Sequence, residues 1–172
     1  MAGGSHAGTS PIRRPPLRCA PPRPHARHSR VDLRELIARE QIRDIVAAYA
    51  HHADSGRFDE MVALFAADGV LETPDRQSHS GRDAIRAFLG GTKQRLAEAA
   101  ATAPLIRHHV SNLRIEVTSP SEATGSAYFF VVTERGPDHW GRYRDRYVCV
   151  GGDWRFAHRR VRLDGRRDGA GH

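Results

Sequence analysis

At Leu105 the spacing of apolar residues changes period, and this change constrains the fold more than any other feature of the chain. Before it, the spacing is helical. Ile42, Ile45, Val46, Tyr49 and Ala53 recur at i, i+3, i+4, i+7 and i+11, one face of a helix over about 32–53. Asp32 is a good N-cap, Glu35 stands at capping-box distance, and Ser55-Gly56 stops the helix. A second helix is expected over about 57–67, carrying Phe58, Met61, Val62 and Phe65 and ended by Asp68-Gly69. Val70-Leu71-Glu72-Thr73 reads as a short strand, with a turn at Pro74-Asp75. Gly81 leads into a third helix with Ile85, Phe88 and Leu89, which Gly90-Gly91 interrupts or kinks before the Ala-rich stretch 96–103.

After Leu105 the period is two. Four strand-like runs follow, about 105–118, 122–134, 139–150 and 153–163. Their separators are Ser119-Pro120-Ser121, Gly136-Pro137-Asp138 and the hairpin signal Gly151-Gly152. Helices first and a meander last predict an α+β fold. A sheet of this length must twist, and with helices on one face it can curl into a cone, or a barrel-like shell, around a pocket. In the third run Trp140, Arg142, Arg144, Arg146 and Val148 share one face, and His139, Tyr143, Asp145, Tyr147 and Cys149 the other. Three arginines in a row mark the solvent side, so the Tyr/Asp face is expected inward. In the last run Trp154, Phe156, His158 and Arg160 are expected on one face.

The 172 residues leave room for one ordinary domain. The net charge of +7 is localised. Residues 1–31 hold six arginines, six of the ten prolines and no acid, whereas residues 32–164 carry 19 basic and 19 acidic side chains. We therefore read 1–31 as a disordered, dispensable tail, 32–164 as the domain and 165–172 as a flexible C-terminal tail. A neutral fold disfavours a specific nucleic-acid partner. No apolar run approaches the roughly 18–20 residues of a membrane span. The tail lacks the apolar stretch of a secretory signal, so a cytoplasmic protein is expected. Cys19 and Cys149 make no disulfide framework, and there is no CxxC, phosphate-binding loop or dinucleotide fingerprint.

Chemistry centres on two residues. Asp54 ends the first helix after a stripe that must be buried, and His108 opens the first long strand. A helix-end carboxylate and a strand-start imidazole can meet at the mouth of a cone. There the Asp would fix the tautomer and leave the other ring nitrogen to take a proton. From spacing alone, Asp54 reads first as an ordinary helix-end cap or turn former. His109 points opposite to His108 in a regular strand. His51, His52 and Asp54 have ligand-type side chains, but no third ligand is placed by spacing, so no metal is expected. Tyr49 lies on the apolar stripe and reads first as core. His158 and Asp145 could form a polar pair on neighbouring strands. Trp140 and Trp154 read as packing residues and Cys149 as a small hydrophobe.

Several segments together resemble a known family. They are Gln41-Ile42, Tyr49-Ala50, Asp54-Ser55-Gly56-Arg57-Phe58-Asp59, Phe65-Ala66-Ala67-Asp68-Gly69-Val70-Leu71, Gly81-Arg82-Asp83-Ala84-Ile85, Arg107-His108-His109-Val110-Ser111-Asn112 and Gly151-Gly152-Asp153-Trp154-Arg155-Phe156. In this order, over about 33–163, they resemble the SnoaL-like branch of the nuclear transport factor 2-like superfamily. The resemblance implies a cone of three helices on a curved, mostly antiparallel mixed sheet, commonly dimeric. It includes scytalone dehydratase, a dehydrochlorinase, ketosteroid isomerase, epoxide hydrolases and polyketide cyclases, most of them cofactor-free. Asp54 and His108 fall on the orienter and base of the dehydratase and dehydrochlorinase pattern. The dehydratase's tyrosines and second histidine fall on Ala53, near Thr73 and near Ala127, so its carbonyl-activating set is missing.

The expectation is thus a cofactor-free lyase or isomerase for a small apolar, cyclic or polyketide/terpenoid-like molecule. Tyr49, Asn112, Tyr128 or Tyr143 would supply a substrate-side donor. The alternatives are a non-catalytic ligand-binding or dimerisation module, or the small subunit of a larger oxygenase.

Overall fold

The structure is a computed structural model that describes residues 32–99 and 105–167, without the side chains of 92–99. The expected N-terminal tail, residues 168–172 and residues 100–103 of the Ala-rich stretch lie outside the described residues, whereas Gly165 and Arg166, expected to begin a flexible C-terminal tail, are part of the last strand, paired with Trp140 and His139. Asp32 caps the first helix: its carboxylate accepts the Glu35 backbone N–H at 2.7 Å. The reciprocal half of the capping box does not form, because Glu35 turns to Arg39, at 2.6 and 2.8 Å. The helix, α1 (Leu33–Asp54), buries Ala38, Ile42, Val46, Tyr49 and Ala50. Gly56, at φ 64°, turns the chain into α2 (Phe58–Ala63).

The second helix is shorter than its apolar spacing predicts. A strand, β1 (Phe65–Glu72), takes over, because Phe65 pairs with Phe156 and Val70 with His158. Here strand pairing overrides the local helical pattern. Asp68-Gly69 is therefore inside the strand rather than a stop. A Cβ on Gly69 would lie 2.8 Å from the Phe156 carbonyl oxygen, so glycine permits the close approach. A short strand not expected from the sequence, β2 (Ser78–Ser80), pairs antiparallel with β1. The third helix, α3 (Arg82–Ala99), runs through Gly90-Gly91 without interruption, which corrects that expectation. Both glycines face open space, and helical glycine is unfavourable by only about 1 kcal/mol against alanine. Arg82 ties the start of α3 to the Phe65 carbonyl at 2.9 and 2.6 Å.

The meander follows as β3 (Ile106–Ser119), β4 (Glu122–Thr133), β5 (Gly136–Val150) and β6 (Asp153–Arg166). Gly136-Pro137-Asp138 belongs to β5, and the turn before it falls on Glu134-Arg135. The sheet order is β2-β1-β6-β5-β4-β3. The parallel β1–β6 pair makes an otherwise antiparallel sheet mixed. Three helices thus pack on a curved six-stranded sheet. It is not closed into a barrel, since β2 and β3 remain its edges. α1 lies against β3 and β6, and Arg39 fastens it with a 2.6 Å bond to the Ile115 carbonyl. No described helix is long and apolar enough to cross a membrane.

Alternation sorts β5 as expected: Tyr143, Asp145 and Tyr147 are buried, and Arg142, Arg144 and Arg146 are exposed. It fails on β6. Tyr147 pairs with Phe156 but Arg146 with His158, so Ala157 is an extra residue in the ladder. Such a bulge reverses the faces beyond it. Trp154 and Phe156 point inward, but after Ala157 it is Arg159 that enters the core, with 0% exposure, and not His158 or Arg160.

Candidate active site

α1 delivers Asp54 at its last residue, and β3 begins two residues before His108. The imidazole Nδ1 lies 2.6 Å from Asp54 Oδ1. The same carboxylate accepts the His108 backbone N–H, at 3.0 Å to Oδ1 and 3.2 Å to Oδ2. An ionised carboxylate only accepts, so Nδ1 carries the hydrogen and Nε2 keeps the lone pair. The double grip fixes both the ring and the strand start that bears it. Side-chain exposures of 18% for His108 and 13% for Asp54 leave the pair just within reach of solvent.

Burial lowers the His108 pKa below its ordinary value, outweighing the upward pull of Asp54. The charges of His139 and Arg159 push it further down. The imidazole is therefore held neutral, as a base must be. This couples to stability. A histidine depressed in the folded state binds its proton more tightly when unfolded, so stability rises with pH through this range. The contribution is complete above the unfolded value of about 6.5 and is lost as pH falls through the folded one. His158, lowered by burial and then by Arg146, acts in the same direction. Melting temperature is expected to fall on acidification from neutrality, with a shallower slope in His108→Gln. Equal slopes in thermal melts of the two chains would contradict this.

Deeper in the cone lies the feature that sequence reading missed. Arg159 makes a two-pronged ion pair with Asp145, Nε to Oδ1 at 3.0 Å and Nη2 to Oδ2 at 2.8 Å. Its guanidinium carbon lies 4.2 Å from the Tyr49 ring centre, 4.2 Å from Tyr143 and 4.1 Å from Phe156. Tyr147 donates to Asp145 Oδ2 at 2.9 Å. Burial works against the Arg159 charge, but the Asp145 carboxylate holds the guanidinium firmly protonated. Burial raises the pKa of Tyr49, Tyr143 and Tyr147, keeping them neutral donors. Nη1 of Arg159 is buried without a hydrogen-bond partner. Only the Ala157 bulge signals this arginine, and a bulge leaves no mark in period-two spacing.

The other expected residues divide. Tyr49 and Tyr143 meet edge-on around Arg159, with ring centres 6.3 Å apart. Tyr128 and Asn112 are not brought to this site. Tyr128 alternates with buried Ala127 and Phe129, so it faces outward and is 52% exposed. Asn112 sits exposed at a bulge of β3 with φ 53°. The expected Asp145–His158 pair does not form either: the bulge gives Asp145 to Arg159, and His158 lies 3.5 Å from Glu72. No cluster of three or more metal-binding side chains occurs among the described residues. A cavity of about 560 Å³ opens on the outer sheet face among Arg114, Arg144, Arg146 and Arg160, away from the dyad.

Comparison with known proteins agrees with the fold. The SnoaL-like domain family matches residues 34–160. A candidate scytalone dehydratase from Novosphingobium aromaticivorans is 26% identical, with TM-score 0.68, over 78% of this chain and 89% of that one. A Mycobacterium tuberculosis protein of unknown function is 28% identical, with TM-score 0.65, over 76% and 73%. The beta subunit of a candidate aromatic-ring-hydroxylating dioxygenase from Novosphingobium aromaticivorans shares the fold, at 18% identity and TM-score 0.63 over 78% and 94%. A search of curated protein sequences finds no significant match.

Proposed function

Because the chain belongs to the SnoaL-like family, whose domain spans residues 34–160, we propose that it is a cytoplasmic lyase or isomerase of small molecules. Its substrate is largely apolar and cyclic, of polyketide or terpenoid type. His108 removes a proton next to an electron-withdrawing group, and Asp54 orients the base and stabilises the imidazolium that forms. The residues supply acid–base chemistry without a cofactor. Arg159, with Tyr49 and Tyr143, provides the positive pole toward which developing negative charge is drawn.

The observation that carries this reading is the 2.6 Å Asp54–His108 contact with its fixed tautomer. A non-catalytic binding module has no need of an imidazole gripped in this way. The oxygenase-subunit alternative is supported by fold alone. The test is solvent-deuterium exchange into a panel of cyclic ketones, followed by proton NMR. Exchange beside the carbonyl is expected with the wild-type chain and not with His108→Ala. A panel that exchanges equally with both proteins would sink the proposal.

A homodimer belongs to the same reading. Tyr128, Phe130 and Trp140 expose 52%, 38% and 40% of their surface on the outer face of the sheet. A second copy would cover them, so light scattering at micromolar concentration is expected to give twice the chain mass. A monomer there would overturn the assembly.

A further inference from the structure

The outer face of the sheet carries charge that the fold does not neutralise. Cross-strand register sets Arg114, Ser126, Arg144 and Arg160 side by side on β3, β4, β5 and β6. Two residues along, Glu116, Thr124, Arg146 and His158 form a second row. Both rows line the cavity of about 560 Å³ on this face. Arg144 and Arg160 are directly opposite, and like charges so placed are unfavourable unless something offsets them. The fold offsets only part. Glu72 accepts from Arg160 at 2.7 Å and lies 3.5 Å from His158. Asp145 is turned inward to Arg159. Among the described residues, no hydrogen bond or ion pair engages the side chains of Arg114, Arg144 or Arg146, or the hydroxyls of Ser126 and Thr124. With Glu72 balancing Arg160 and Glu116 balancing one more arginine, two positive charges of the cavity have no counter-charge.

We propose that this hollow binds a small phosphate monoester, held by Arg114, Arg144 and Arg146 with the hydroxyls of Ser126 and Thr124. A carboxylate brings one negative charge, whereas a phosphate monoester brings about 1.5–2 at neutral pH, which matches the excess. Guanidinium forks grip phosphate oxygens in pairs, and hydroxyls donate to the oxygen that remains. The volume lies within the roughly 300–1,000 Å³ of small-molecule sites, which leaves room for the organic part of the ester. The patch is also bounded, which sets a single phosphate apart from a polymer. The next row on one side is Tyr128, Arg142 and Arg162, and there Arg142 is taken by Asp164 at 2.8 Å. Beyond it stand Phe130 and Trp140. On the other side Arg146 is followed by Val148, which pairs with Glu122. A nucleic-acid backbone therefore finds no continuing track of charge. The site lies on the face opposite the dyad, and its occupant is a ligand held outside the cone, distinct from the molecule turned over within it.

The test titrates phenyl phosphate into the full chain at constant ionic strength, by calorimetry and by NMR of the His158 imidazole. Saturable binding is expected, about tenfold or more tighter than that of benzoate, which has the same ring and one charge. Arg144→Gln and Arg146→Gln are each expected to weaken it by about tenfold or more. Both side chains are exposed, so their loss leaves the fold intact. Arg142→Gln, on the same face but outside the cavity, is expected to bind as wild type does. His158 gives a second readout. Burial lowers its pKa first, Arg146 and Arg160 lower it further, and Glu72 and Asp145 oppose them. A bound phosphate offsets the two arginines, so the His158 midpoint is expected to rise with phenyl phosphate and to stay put with benzoate. His108→Ala is expected to bind phenyl phosphate as wild type does, which keeps this test independent of the dyad. No saturable binding, or binding undiminished in both arginine variants, would overturn the site. Inorganic phosphate bound as tightly as phenyl phosphate would overturn the ester in favour of the free ion. A short DNA duplex bound more tightly through the same arginines would overturn the small-molecule ligand in favour of a polyanion.

Discussion

Replacing His108 by alanine is expected to lower turnover by about 10²–10⁴-fold while the chain stays folded. The range is that of a positioned general base, and the geometry gives the reason for expecting all of it. Nδ1 is held at 2.6 Å by Asp54, so Nε2 is aimed and neutral before substrate arrives. Asp54→Asn is expected to act through the same step. It keeps the shape and one hydrogen-bonding oxygen, but it removes the charge that stabilises the imidazolium and selects the tautomer. It also weakens the anchor on the His108 backbone N–H, now at 3.0 and 3.2 Å. Because the two residues serve one proton transfer, the double substitution is expected to be little worse than His108→Ala alone. Losses that multiply would show two separate roles. Substantial turnover in His108→Ala, measured with the substrate of the exchange assay, would end the assignment.

How much of this was legible depends on which residues set each feature. The α1 stripe, the strand period, the Gly151-Gly152 hairpin and the inward Tyr/Asp face of β5 are local patterns, and each is found in the structure. The Asp54–His108 contact spans 54 positions of sequence. Spacing could offer it only as one option, and the family pattern singled it out. Features decided by partners far along the chain were not legible. Phe65-Ala66-Ala67 has helical composition but becomes strand because Phe156 waits beside it. β2 exists only as the partner of β1. The Ala157 bulge reverses the face of β6 and turns an arginine that alternation sends outward into the most buried cation of the core. His139 is legible as an inward residue of β5, but its partnership with Asp138 is not, since neighbouring residues of a regular strand point to opposite faces. The register shift between Val131 and Val132 lies where the two side chains meet.

Arg159→Met is expected to be the most destabilising single substitution among the residues discussed. It removes one half of an ion pair in which both side chains have 0% exposure. The Asp145 carboxylate would then be buried with only the Tyr147 hydroxyl, at 2.9 Å, to stabilise its charge. Breaking a buried pair from one side costs about 3–5 kcal/mol. For a domain of this size that is a fall of roughly 10–20 °C in melting temperature. The guanidinium also packs against three rings, and methionine fills only part of that space. A second variant separates charge from packing. In Arg159→Met with Asp145→Asn, no charge remains buried, and the amide oxygen still accepts from Tyr147. Most of the lost stability is expected to return. A double variant as unstable as the single one would show that the ring contacts, not the ion pair, hold the region together. The recovered chain also reports on the site. Arg159 lowers the His108 pKa from a distance, so the His108 midpoint should move upward in the double variant. If it does, the buried cation and the dyad share one electrostatic environment, and the polar centre of the cone is coupled to the proton it moves. If His108 titrates as in wild type, Arg159 is a structural residue and has no part in the chemistry.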